Sequence, residues 1–247
     1  MKNSNLIFIF ILMLFAIDTR AQYPFEKNKE IKIKEFKNWK TSVNPKDSLP
    51  MMREILISKF DSKNSTLKIE QILAIKSSDS TEYSILKIYR NNQIINQFKV
   101  NTRSISEPLQ VYVEDINGDN LSDLKIIFPN YGSGNYNVYC QTVFLFQNKN
   151  QTFKEIIYTD MFENFVNRPE RDFNNDGKYE ILMQSFQNYG KHNYWLFNIY
   201  NYSKGKLVNV NYLANYPIMI PLNSYKVTKN ISRKVMKKFE VKTPKNN

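Results

Sequence analysis

The sequence predicts an all-β protein. From residue 53 onward, short apolar segments of strand length alternate with polar turns. No long window keeps helical spacing, and an internal repeat reads as strand and turn in both of its copies. With 247 residues, 42% hydrophobic and 14% aromatic, the chain has enough apolar material for one core or two small ones.

The first residues read differently from the rest. Lys2 precedes the unbroken apolar run Leu6 to Ile17, and Ala21 follows at a suitable cleavage position. That is the three-part layout of a secretory signal peptide, and twelve apolar residues are short for a bilayer span. Residues 1–21 are therefore expected to be removed. The mature chain would begin at Gln22, be secreted or periplasmic, and keep no transmembrane span. Residues 22–50 are rich in Lys and Glu, contain Pro24, Pro45 and Pro50, and carry a short apolar rhythm at Ile31, Ile33 and Phe36. They read as a linker or a leading strand.

Residues 51–225 form the predicted β-domain. "EILISKF", "LKIEQILAI", "YSILKIYR" and "IINQFKV" are strand-length runs separated by "DSKNST", "SSDSTE" and "NNQ". Two longer units follow, at 108–158 and 168–213. Each holds an acidic loop, an apolar strand, an "NYG" triplet, an aromatic-rich strand, a polar turn and a last strand. The acidic loops begin at Asp115 and Asp172, and the triplets begin at Asn130 and Asn188, so the internal offset differs by one residue. Cys140 is the one cysteine, which excludes an intrachain disulfide, and its strand context predicts a buried free thiol. No cysteine stands just after the apolar run, so the lipid attachment of bacterial lipoproteins is not expected.

Net charge is +12, and more than half of it lies in residues 226–247. There Lys226, Lys229, Arg233, Lys234, Lys237, Lys238, Lys242 and Lys245 face only Glu240. This basic C-terminal tail reads as a solubilising appendage or as a surface for an anionic polymer. Ile231, Val235 and Phe239, every fourth residue, would give a short helix one apolar stripe.

The acidic loops carry the chemistry. Asp115, Asn117, Asp119 and Asp123 stand at positions 1, 3, 5 and 9 of the first loop; Asp172, Asn174, Asp176 and Glu180 take the same places in the second. Calcium favours six to eight oxygen ligands in flexible geometry, and a tight loop aims alternate side chains at one centre. A backbone carbonyl near position 7, from Leu121 or Lys178, would complete each shell. Gly177 and Asn120 at position 6 suit a sharp turn. An EF-hand begins in the same way but needs a Glu at position 12, where Ile126 and Met183 stand, and flanking helices where strand patterns follow. The EF-hand reading fails.

"DINGDNLSDL" and "DFNNDGKYEI" resemble the calcium loops of FG-GAP/VCBS-type repeats, whose units form β-propeller blades in secreted bacterial proteins. The likeness covers residues 108–213 and lacks the "FG" and "GAP" dipeptides. It implies a small or incomplete β-propeller-like domain of repeated antiparallel β-units with calcium loops. At about 40–50 residues per blade, residues 50–225 have room for about four units.

Other chemistry is sparse. His192, the one histidine, reads as a surface or strand-end residue, the best carboxylate pairs belong to the loops, and six glycines form no phosphate cradle. Tyr194, Trp195, Phe197 and Tyr200 read as sheet packing, with an exposed carbohydrate-binding face as the alternative. The segment Tyr131 to Tyr136, "YGSGNY", resembles the Ser-Gly loop of periplasmic lysozyme inhibitors. The expectation is thus a calcium-dependent, non-catalytic binding module at the cell envelope, meeting an envelope polymer or protein and no nucleic acid. The alternatives are a periplasmic inhibitor or immunity-type protein that plugs a cell-wall hydrolase with Tyr131, Ser133 and Tyr136, and a hydrolase with unrecognised carboxylates.

Overall fold

The computed structural model describes residues 23–42, 52–76, 82–101, 108–129, 139–161 and 167–244. The expected signal peptide and the 131–136 loop lie outside these residues.

The chain is mostly antiparallel β-sheet, as its alternation predicts. Three short strands come first: β1 (Lys29–Glu30), β2 (Lys34–Phe36) and β3 (Lys40–Ser42). A meander of β4 (Met52–Ile57), β5 (Leu67–Lys76), β6 (Glu82–Arg90) and β7 (Gln93–Asn101) follows. The second meander is β8 (Gln110–Glu114), β9 (Asp123–Pro129), β10 (Tyr139–Gln147) and β11 (Phe153–Met161). The third comprises β12 (Arg171–Asp172), β13 (Ile181–Tyr189), β14 (His192–Ser203) and β15 (Lys206–Asn209), with β16 (Ile218–Pro221) also paired to β14. Three meanders stand among the described residues, where chain length alone allowed about four; no closed barrel or propeller is shown.

Turn chemistry sets several registers. Asn91–Asn92, Gly190–Lys191 and Lys204–Gly205 each have both central residues at positive φ and close on the pairs Arg90 with Gln93, Tyr189 with His192 and Ser203 with Lys206. These are two-residue type I′ hairpins, whose twist matches that of the strands they join.

Residues 29–42 are neither a linker nor one leading strand. They run as a strap: β1 pairs β12 in a small two-stranded sheet of its own, β2 adds an edge strand to the second sheet through β8, and β3 adds one to the first through β4. The rhythm noted in the sequence supplies its anchors. Ile31 is buried between the second and third sheets, Ile33 is half-buried there, and Phe36 packs against the core of the first two.

The second sheet is the middle layer. Val143 and Leu145 on one face of β10 meet Ile55, Ile69, Leu86 and Ile88 of the first sheet. Phe144 and Phe146 on the other face meet Ile181, Tyr200 and Leu207 of the third. Every residue from Cys140 to Gln147 is buried, so β10 is covered on both faces and carries the apolar run Val143 to Phe146 at its centre, with Gln141, Thr142 and Gln147 as buried polar residues. At about 25 cal/mol per Å² of apolar surface, this double burial is the main source of stability in a chain with no disulfide.

Residues 23–25 and the C-terminal segment pack on opposite faces of the third sheet, the former on Trp195, Phe197 and Ile199, the latter on Tyr194 and Leu196. Tyr23 and Phe25 stack on each other and meet Phe197 at tilted angles. Ile231 and Met236 are buried against Tyr194, Leu196 and Met219, with Val235 and Phe239 packed beside them. The expected apolar stripe exists around a helix at Arg233–Met236, capped by Ser232, but it faces the protein's own sheet. The Val241 carbonyl accepts from the Tyr200 hydroxyl and the Asn209 amide, fixing the segment beyond.

Candidate metal loops and the polar staple behind them

The two acidic loops occupy the same place in their meanders, between first and second strands. The first is closed by the pair Glu114 with Asp123, the second by the bridge Arg171 with Glu180. Both are followed by strands, as the rejection of an EF-hand requires. They lie side by side: a Cβ at Gly118 would sit 3.2 Å from the Lys178 side chain of the other loop.

Each loop wraps its backbone around the position-1 carboxylate. Asp115 accepts from the amides of Gly118, Asp119 and Asn120 at 2.8–3.0 Å. Asp172 accepts from Asp176 and Gly177 at 3.2 and 3.0 Å. Positions 3 and 5 each make a two-residue turn of their own, Asn117 to Asp119 and Asp119 to Leu121 in the first loop, Asn174 to Asp176 and Asp176 to Lys178 in the second. The chain needs positive φ at two positions, 4 and 6, and the loops meet this with opposite residues. Gly118 and Asn120 stand at φ +74° and +65°; Asn175 and Gly177 stand at +61° and +85°. Sequence reading found position 6 and missed position 4, although the same Gly and Asn signal stood there.

Position 9 lies under the loop. Asp123 Oδ2 accepts from the Ile116 amide at 3.0 Å and Oδ1 from the Gln147 amide at 2.8 Å. Glu180 Oε2 accepts from the Phe173 amide at 2.9 Å, the matching contact. Both carboxylates are fully buried at 0% exposure. Burial pushes the Asp123 carboxyl up to about 8, with repulsion from Asp119 and Asp115 adding to it and the two amides opposing. Glu180 is raised in the same way, by burial first and then by Asp176 and Asp172.

These residues suit a hard dication in kind and in order. Among the described residues none of the six loop acids forms an ion pair; amide hydrogen bonds offset part of the repulsion, and at Asp176 the Lys178 amide, the Asn174 side chain and the Lys178 charge hold the carboxyl below its usual range. Oxygen is the only donor type offered, and each carboxylate oxygen bonded to an amide keeps a second lone pair. Among the described residues no group of three His, Cys, Asp or Glu side chains is gathered at metal-holding distance. The amide oxygens of Asn117 and Asn174 and the carbonyls of Leu121 and Lys178 are further oxygens at the loops.

Behind the loops is a polar staple that the sequence did not reveal. Lys125 Nζ donates to Glu170 Oε1 at 2.6 Å and to the Arg168 carbonyl at 2.7 Å, with both partners about 2% exposed. Asp160 of β11 accepts from the Gln184 amide of β13 at 2.7 Å. Arg168 donates to the Met161 carbonyl and to Gln184 Oε1 and stands 3.4 Å from Asp160. The staple ties the second sheet to the third. A lysine within the buried run "DLKIIF" was its one sequence signal.

Other expected residues fall as follows. His192 is exposed at the start of β14. Tyr194, Trp195, Phe197 and Tyr200 are all buried, which excludes them as an exposed carbohydrate face. Cys140 is a buried free thiol pushed well up by burial. Tyr131, Ser133 and Tyr136 are outside the described residues. No described helix is long and apolar enough to cross a membrane. No family profile, curated protein or solved structure matches this chain.

Proposed function

We propose that this chain is an exported calcium-binding protein of propeller-like build, acting as a non-catalytic binding module at the cell envelope. The observation that carries the reading is the pair of matched loops. Two segments 57 residues apart share ligand types, turn geometry, the position-9 to position-2 closure and their place in the meander. Their likeness to FG-GAP/VCBS-type loops supports calcium as the ion and an arc of three blade-like units as the architecture. Asp115, Asn117, Asp119 and Asp123, with the Leu121 carbonyl, would hold one ion. Asp172, Asn174, Asp176 and Glu180, with the Lys178 carbonyl, would hold the other. The metal's role is to offset two of the three carboxylate charges in each loop and so fix the loops and the junction between two sheets.

The C-terminal segment supports the envelope role. Lys226, Lys229, Lys234, Lys237, Lys238 and Lys242 are exposed, and among the described residues none is in an ion pair. The stripe beneath anchors them as a cationic ridge suited to an anionic polymer. The calcium reading is tested by melting curves of the mature chain. At calcium a hundredfold above its dissociation constant, each independent site adds about 2.7 kcal/mol. Asp119→Ala and Asp176→Ala should each remove part of the response, and a curve unmoved by excess chelator would overturn the reading.

A further inference from the structure

Beside the second acidic loop, a cavity of about 380 Å³ opens between residues 24–28 ahead of the strap, the 214–218 turn and the C-terminal segment. Its size falls in the range of about 300–1,000 Å³ typical of small-molecule sites. Phe173, Ile218 and Val227 supply apolar wall, while Lys27 and Arg233 bring two cations and no acidic residue lines it.

The Arg233 guanidinium is held by neutral groups alone. It donates to the Pro217 carbonyl at 2.7 Å, to the Asn215 carbonyl and to Asn215 Oδ1 at 3.0 Å. No described carboxylate stands within ion-pair distance, and its buried Nε has no acceptor. Lys27 is exposed and likewise unpaired among the described residues. A half-buried cation beside apolar walls is well matched by an anion that brings its own apolar body. Burial also lowers the Arg233 pKa.

We propose that this cavity binds a small amphipathic organic anion. The charged head would lie between Lys27 and Arg233 and the apolar body against Phe173, Ile218 and Val227. The site goes beyond the calcium reading, because its cations are side chains and its occupant is organic.

Calorimetric titration of the mature chain with hexanoate, hexyl phosphate and 1-hexanol, in calcium-containing buffer, tests the proposal. Saturable binding of at least one anion is expected, with hexanol at least about tenfold weaker, a difference of about 1.4 kcal/mol. A preference between the two anions would identify the head group. Lys27→Glu, at an exposed position, should weaken the bound anion at least about tenfold without moving the melting temperature, and Val227→Phe should block the cavity. Absence of saturable binding, equal affinity for hexanol, or an affinity unchanged in Lys27→Glu would overturn the proposal.

Discussion

Asp123 is the residue on which the loop's electrostatics turn. Its carboxyl is held near pH 8 by burial and by Asp119 and Asp115, against an unfolded value of about 3.9. The folded chain therefore binds this proton more tightly than the unfolded one. Without calcium, the protonated group's contribution to stability is complete below about pH 4 and is lost as pH rises through about 8. Asp123→Asn removes the titration while keeping one oxygen acceptor. In chelator, the variant should lose less stability than wild type between pH 5 and pH 8 by thermal melting; with calcium present it should lose response to the ion. Equal pH slopes in chelator would contradict this account. The ligand spacing was legible in the sequence because side-chain types at fixed intervals need no tertiary information. Burial of position 9 was not legible, because it depends on the Gln147 amide of a distant strand end.

Among the elements, the strands of the first meander were the most legible. "LKIEQILAI" and "YSILKIYR" coincide with β5 and β6 to within a residue at either end. They alternate because one face packs on the second sheet. The strap was legible only in part: Ile31, Ile33 and Phe36 marked its anchors, but β1 and β3 expose their side chains and are held by backbone pairing, which leaves no periodic mark. The Lys125–Glu170 pair belongs to this scale, since it fixes the segment between two sheets. Removing one partner of a buried pair strands the other charge and costs about 3–5 kcal/mol, whereas replacing both with apolar groups of similar volume is often neutral. Lys125→Met and Glu170→Leu should each lower denaturant stability by about that amount. The double variant should recover most of the loss. A double variant as unstable as the two losses summed would show that the pair does not act as a unit.

At the scale of the whole molecule, a sheet buried on both faces is flanked by two sheets, and both outer chain segments are docked rather than free. The C-terminal stripe was visible in the sequence at every fourth residue, but its partner was not, because β14 and β16 meet it only after folding. Truncation at Tyr225 would strip Ile231 and Met236 from the core and so confound charge with stability. Replacing Lys226, Lys229, Lys234, Lys237, Lys238 and Lys242 with Gln isolates the charge. Wild type should be retained on immobilised polyphosphate at low salt and released near physiological ionic strength, where the screening length is about 8 Å. The variant should elute earlier, and an unchanged elution point would remove the ridge from the account. The two acidic loops make the most specific claim, and calorimetric titration of the mature chain with calcium tests it most directly. Two ions per chain are expected for wild type, and one for each of Asp119→Ala and Asp176→Ala; a wild-type chain that takes up no calcium would contradict the account.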